Sequence, residues 1–280
     1  MNGRSTAASL AAVLVGAVAF AQAPVSLKLR WPAPGGAMLY RVEYTTTQTH
    51  KLKETVSEAK SSSVVTRRWE VAAVDAEGCA TLRNSITTLR QERTTGSGSV
   101  WKFDSESPKD STPEMREAMS RHLNVLLATV KVDPFGRVME VKDSKSGPSA
   151  FENELPFLGT VPGAELKPGA AWTREYKVTL APPLGTGEKY DAVQKFTVAG
   201  IKDGLVTVTT SCELKEKPKA AADMVSLWQF LPKGEIVWDS VNGRLHSARL
   251  TVEEEASGLD GEGSHTKFTS TKVVTFLPVK

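Results

Sequence analysis

The sequence predicts a mainly β chain of the α+β kind, its antiparallel curved sheets or half-barrel built from two similar halves, each with one helix. Three observations predict it. Apolar and polar residues alternate along most of the chain, which is the period of a strand with one buried face. Two segments break that period with a helical one, and the elements recur in the same order in each half.

Residues 1–21 read as an export signal. Arg4 is the only charge before Lys28, and it precedes an apolar run from Ala7 to Phe20 that is too short to span a bilayer. Ala19 and Ala21 satisfy the A-x-A cleavage rule; a cut after Ala23 would instead place the rigid ring of Pro24 beside it. The first cysteine is Cys79, so no thiol at the signal boundary can be acylated, and no twin arginine is present. The expected mature chain has no membrane span and works in the periplasm or outside the cell.

The first β-rich half, 22–147, opens with strand patterns at Leu39 to Thr47, Val65 to Val74 and Ala80 to Leu89, with turn chemistry at Asp75 to Gly78. Thr94 to Ser99, rich in Gly, Ser and Thr, reads as a loop tip. A helix is expected over Ser111 to Leu127. Ser111 and Glu114 have capping-box spacing, Pro113 suits an early helical position, and Met115, Met119, Leu123, Leu126 and Leu127 share one face. A hairpin then carries Val132, Asp133, Gly136, Arg137 and Val138.

Residues 148–169 contain Pro148, Pro156, Pro162 and Pro168 and read as a connector, because each proline removes a ladder donor. The second half, 170–280, repeats the order with strand patterns at Trp172 to Leu180, Val193 to Val198, Leu205 to Cys212 and Leu245 to Val252. Its helix is expected over Lys219 to Leu231, with a stripe of Val225, Trp228 and Leu231 and a stop at Pro232 and Gly234. Tyr40, Glu43 and Tyr44 match Trp172, Glu175 and Tyr176, and Trp69 and Val71 match Phe196 and Val198. The first-half hairpin matches Trp238, Asp239, Gly243, Arg244 and Leu245. Ser257 to Ser264, with three glycines, reads as a second loop tip.

Composition narrows the function. Without the signal the chain holds 34 basic against 32 acidic residues, interspersed throughout, which gives no basic footprint for nucleic acid. About 259 residues can bury a core without disulfide support. Cys79 and Cys212 are the sole disulfide candidate in an exported chain, although Cys79 follows a turn and Cys212 lies inside a strand. The isolated cysteines and the scattered His50, His122, His246 and His265 offer no local metal spacing.

The chain has no H-E-x-x-H, no G-x-S-x-G and no phosphate-cradling glycine loop. Ser57 and Lys60 have S-x-x-K spacing but lack the companion S-D-N and K-T-G elements, and Glu253, Glu254 and Glu255 read as a charged strand end. No catalytic residue and no cofactor is therefore assigned. The tryptophans read first as core. A sharper reading places Trp101, Leu123, Trp228 and Trp238 near the mouth of a curved sheet that holds an apolar ligand.

Ala37 to Thr47, Trp69 to Ile86 with the Asp75 and Gly78 turn, and the start of the second half at Pro168, Gly169 and Trp172 resemble an uncharacterised family of exported bacterial β-rich proteins. That resemblance covers most of the mature chain and implies export and β architecture. In strand number and helix placement the chain is also similar, at the level of fold, to periplasmic lipoprotein carriers with unclosed β barrels. The expected function is a noncatalytic exported binding or envelope-associated module, whose partner is an apolar ligand or an envelope protein. An exported enzyme of unrecognised type is the alternative.

Overall fold

The computed structural model describes residues 24–144, 159–219, 221–259 and 261–278. The signal segment 1–21 and connector residues 148–158 lie outside the described residues. The expected strands form and are mostly longer than their sequence signatures. In chain order they are β1 Val25–Ser26, β2 Ala37–Leu52, β3 Thr55–Val74, β4 Ala80–Thr94, β5 Val100–Asp104, β6 Ala128–Val132 and β7 Val138–Lys142. The later strands are β8 Glu165–Leu166, β9 Ala171–Leu180, β10 Glu188–Lys202, β11 Leu205–Leu214, β12 Lys233–Asp239, β13 Arg244–Ser257 and β14 Ser264–Leu277. Helix α1 is Pro113–Ser120 and α2 is Ala221–Trp228.

Twelve strands make one antiparallel sheet, ordered β7, β6, β4, β3, β2, β14, β13, β12, β11, β10, β9, with β5 also paired to β4. The end strands β7 and β9 are not paired with each other, so the sheet curves without closing into a barrel. Within each half the chain runs three strands, a helical insertion and a hairpin: β2, β3, β4, α1, β6, β7 and then β9, β10, β11, α2, β12, β13. The matched sequence anchors lie on corresponding strands of this order. The added strand β14 joins β13 to β2 and thereby unites the halves.

Register explains where the core sits. Val198, Val208, Ile236, Ala248, Val274, Val42, Val65 and Leu89 are successive cross-strand partners from β10 to β4. Because side chains alternate faces, a row in register stays on one face, and this row is wholly apolar. It runs through a core that includes Tyr40, Trp69, Phe196 and Trp238, each at most 2% exposed.

One end of the curved sheet is stopped by the segment before β2. Leu27 and Leu29 enter the core, the Leu29 amide donates to the Pro134 carbonyl at 2.8 Å, and the Arg30 amide donates to that of Gly243 at 2.8 Å. Gly243 has a left-handed backbone, φ 61°, and a Cβ there would lie 2.5 Å from the Lys28 carbonyl, so only glycine fits this crossing.

Two matched hairpins share their local chemistry. Asp133 Oδ1 accepts from the Phe135 and Arg137 amides at 2.9 and 2.8 Å, and Asp239 Oδ1 accepts from the Asn242 amide at 2.9 Å; these are side chain-to-backbone turns. In each, the following arginine contacts the aspartate, Arg137 at 3.9 Å and Arg244 at 3.6 Å. Each guanidinium also lies over a phenylalanine ring, Arg137 over Phe135 and Arg244 over Phe276.

The helices depart from expectation. Instead of Ser111 to Leu127, α1 stops at Ser120. Beyond it the Asn124 amide donates to the Ile86 carbonyl at 2.8 Å and the Leu127 amide to that of Asn84 at 2.9 Å. The free side of β4 captures the chain, and those long-range bonds win over another helical turn. The capping box does not form either: Thr112 is the N-cap, without a side-chain bond, and the Ser111 hydroxyl accepts from the Asp104 amide at 2.9 Å.

The disulfide candidate is also corrected, since Cys79 and Cys212 are both free thiols. Cys79 lies in the β3–β4 turn. Cys212 lies seven residues beyond the start of β11, roughly 20 Å along that strand, and in the other half. A disulfide needs Cα atoms closer than about 7 Å.

Candidate functional site

Where the sheet fails to close, an open cleft of about 490 Å³ lies between β7 and β9. From β7 and its turn come Gly136, Arg137 and Val138. From β9 come Trp172 to Tyr176, and the described end of the connector adds Thr160, Val161 and Pro162. The strand period places Trp172, Arg174 and Tyr176 on one face of β9, in phase with the buried Val178 and Leu180. An arginine thus occupies a position in the phase of the core.

The walls are held by specific contacts. Trp172 stacks on Phe196, ring centroids 5.0 Å apart and planes 12° apart, while its indole N–H donates to the Thr160 carbonyl at 2.9 Å. The Val161 amide donates to the Phe135 carbonyl at 2.9 Å, tying the connector to the β6–β7 turn. The Tyr176 hydroxyl donates to the Phe230 carbonyl at 2.9 Å beyond α2. Burial, followed by the neighbouring Cys212, holds the Tyr176 phenol well above its ordinary pKa, so it stays a neutral donor.

The Arg174 guanidinium lies 5.3 Å from the Tyr176 ring centre and that of Arg137 lies 5.9 Å from the Phe135 centre. Glu175 is the acid in the lining, and its Oε1 is 2.7 Å from Lys215 Nζ. Arg137, Arg174 and Glu175 thus share the lining, and Glu175 pairs with a lysine outside it.

A buried polar level adjoins Arg174. Its partner across the ladder is Gln194, which in turn pairs with Cys212 on β11. Gln194 is fully buried; its amide donates to the Thr210 hydroxyl at 3.0 Å, and its Oε1 has no hydrogen-bond partner. The first half carries a diagonal pair at the matching place, where Arg67 Nη1 donates to Asn84 Oδ1 at 3.3 Å. Burial pushes the Cys212 thiol up to about 11, against smaller opposing effects of Tyr176 and Arg174.

The four residues expected to bind a ligand lie on separate elements. Trp101 is 51% exposed on β5, Leu123 is half-buried after α1 and bridges to Ile86, Trp228 is buried at the end of α2, and Trp238 belongs to the core on β12. Trp238 packs so closely that a Cβ on Gly159 would lie 2.8 Å from its ring. None of the four lines the cleft between β7 and β9. Missing from that expectation were Arg137, Trp172 and Arg174. The available signal was the charge of Arg174 in phase with Trp172, Tyr176 and Val178.

Other motifs resolve as surface. Ser57 and Lys60 are three apart on β3 and so face opposite sides, and Lys60 pairs with Glu58 at 2.7 Å. Glu253 and Glu255 reach diagonally to Lys267 and His265 of β14 at 3.1 and 3.8 Å. Among the described residues no group of three His, Cys, Asp or Glu side chains could hold a metal ion, and no helix is long and apolar enough to cross a membrane.

No family model matches the chain, and no curated protein matches it. Two solved structures align over most of its length. One is DynF from the dynemicin biosynthesis pathway of Micromonospora chersina, with 7% identity, 98% of this chain and 92% of that chain covered, and a TM-score of 0.21. The other is the secretin InvG of the Salmonella SPI-1 type III secretion injectisome in its open gate state, with 10% identity, 92% and 62% covered, and a TM-score of 0.18. Neither carries an argument at those scores, and the resemblance to exported bacterial proteins rests on the strand and turn motifs alone.

Proposed function

We propose that this chain is an exported, noncatalytic binding module of the periplasm or cell exterior, built from two copies of one β unit. Its binding site is the cleft between β7 and β9. The observation that carries this reading is the cleft itself: a concavity of about 490 Å³ with aromatic walls, within the size range of small-molecule sites. The filled core favours an open cleft at the sheet edges over a chamber inside the sheet. An apolar ligand suits the Trp172, Tyr176, Val138 and Val161 walls.

Native mass spectrometry of the chain purified from its own envelope tests the reading. The expected result is a non-covalent adduct that leaves on collisional activation and is absent from Trp172→Ala. A bare mass for the wild type, together with no binding to any member of an apolar ligand panel, overturns it.

A further inference from the structure

We infer that the cleft between β7 and β9 takes an extended peptide strand of another protein, which completes the sheet there as β14 completes it between β13 and β2. This inference rests on the cleft being the binding site. It names the partner's chemistry and the backbone groups that read it.

The two halves meet at two seams. At one, β13 closes the second half, β2 opens the first, and β14 pairs with both, antiparallel to each. At the other, β7 closes the first half and β9 opens the second, and among the described residues no strand lies between them. The seams are alike at their ends as well. The Arg30 amide donates to the Gly243 carbonyl and the Val161 amide to that of Phe135, so a segment before each half crosses the hairpin of the other. The second seam differs from the first by one strand.

β9 is built to receive it. Its ten residues, Ala171–Leu180, run in unbroken register with β10 and include no proline. The Val198 amide donates to the Ala170 carbonyl. The alternation of an antiparallel ladder then turns the backbone of Trp172, Arg174 and Tyr176 to β10 and that of Thr173 and Glu175 to the cleft, which both residues line. An edge with donors and acceptors in that order adds a strand through main-chain hydrogen bonds. A purely apolar molecule would cover these groups without replacing their water. The apolar walls are better met by side chains of a peptide whose backbone pairs with β9.

β14 also indicates one side chain of the guest. Its Phe276 pairs with Tyr40, ring centroids 5.6 Å apart, and has the Arg244 guanidinium 3.9 Å from its ring centre. At the open seam Trp172 matches Tyr40 and Arg137 matches Arg244, and both line the cleft. An aromatic side chain on the guest strand takes the place of Phe276, against Trp172 and beneath Arg137.

A fluorescently labelled peptide with the sequence of residues 270–278, the end of β14, is the probe. Titrated into the mature chain and followed by anisotropy, it is expected to bind one to one, and the Thr173 and Glu175 amides should slow in hydrogen exchange measured by NMR. N-methylation of the peptide at the places of Val273 and Thr275, the β14 partners of Glu43 and Arg41, blocks the amides that meet β9 and should weaken binding about tenfold or more. Thr173→Pro removes a cleft amide that the β9–β10 ladder does not use, and should weaken binding equally with an unchanged circular dichroism spectrum. Arg137→Ala should cost about threefold with this peptide and less with its Phe276→Leu version.

No binding by the peptide, or binding indifferent to both N-methylation and Thr173→Pro, overturns the inference; an envelope adduct that Trp172→Ala removes then still leaves the cleft reading standing. Slowed exchange in β13 and β2 instead of β9 would show exchange with β14 and overturns it as well. A bare mass from the envelope, with no binding by the peptide or the apolar panel, overturns both readings together.

Discussion

The two halves share an order of elements but use their helices differently. In the second half α2 lies on the inner face: Leu227 is fully buried among Tyr176, Val178, Leu180 and Ala192, and Trp228 is 3% exposed. In the first half α1 sits beside β5 and has no buried residue. The difference follows from what each helix interrupts. β11 passes directly to β12 as its neighbour, so α2 is free to fold over the sheet, whereas β4 pairs β6 along its first part and β5 along its last. The first half thus spends its insertion on an extra strand, and the second spends it on a lid of apolar contacts. One topology gives a thin, strand-rich half and a thicker one with its own small core.

The largest expected effects test that contrast directly. Leu227→Ala should cost about 3 kcal/mol, as for a fully buried leucine, whereas Met119→Ala in α1 should cost about 1 kcal/mol or less. Urea midpoints of the two variants measure this, and equal losses would break the contrast. Next come the matched polar pairs. Asn84→Leu removes the acceptor of a guanidinium and should cost about 2 kcal/mol. Gln194→Leu removes a buried oxygen that has no partner together with one neutral bond to the Thr210 hydroxyl, and should cost about 1 kcal/mol. A larger loss at Gln194 than at Asn84 would show that the second-half pair is the tighter one.

The matched hairpins give a smaller, pH-dependent effect. Burial raises the Asp239 pKa, but the Asn242 backbone and side-chain bonds and the charge of Arg244 together outweigh it and bring the pKa below the ordinary 3.8. A carboxylate with a depressed folded pKa stabilises fully above its unfolded value and loses that contribution as pH falls through the folded one. Stability measured from pH 5 downward should therefore fall more steeply for the wild type than for Asp239→Asn. Parallel curves would remove the ion and hydrogen-bond cluster from the account of this turn.

The smallest effect is chemical. Cys212, pushed up to about 11 by burial, should alkylate very slowly at pH 8, since only the thiolate reacts. The half-buried Cys79 in its turn should react faster, and complete alkylation of the unfolded, unreduced chain should add two groups. One added group, or none, would show that the thiols are not free.

Much of this fold was legible residue by residue. Alternation located β2, β4, β9 and β11 within a few residues, and the Asp75 to Gly78 turn forms as its composition demands, with Gly78 N donating to the Asp75 carbonyl at 3.0 Å. The matched Asp, Gly and Arg of the two hairpins also announced their shared chemistry. The helices were legible only in part. Met115, Met119, Leu123, Leu126 and Leu127 have the spacing of one helical face, but that spacing does not say that the Ile86 and Asn84 carbonyls of β4 will take the amides beyond Ser120. The site was least legible, because large apolar residues such as Trp238 pack the core as readily as they line a mouth.

By itself, then, the sequence determined the central parts of β2, β3, β4, β9, β10, β11 and β13, their apolar faces, and several of the turns between them, because these depend on side-chain period and on glycine and proline within a few residues. Tertiary structure alone decided that β14 joins the halves, that the N-terminal segment stops one end, that the thiols stay apart, and that β7 and β9 leave an arginine-lined gap. Those outcomes depend on register between strands far apart in the chain. Hydrogen bonds and burial across such distances are settled only when the whole sheet has curved.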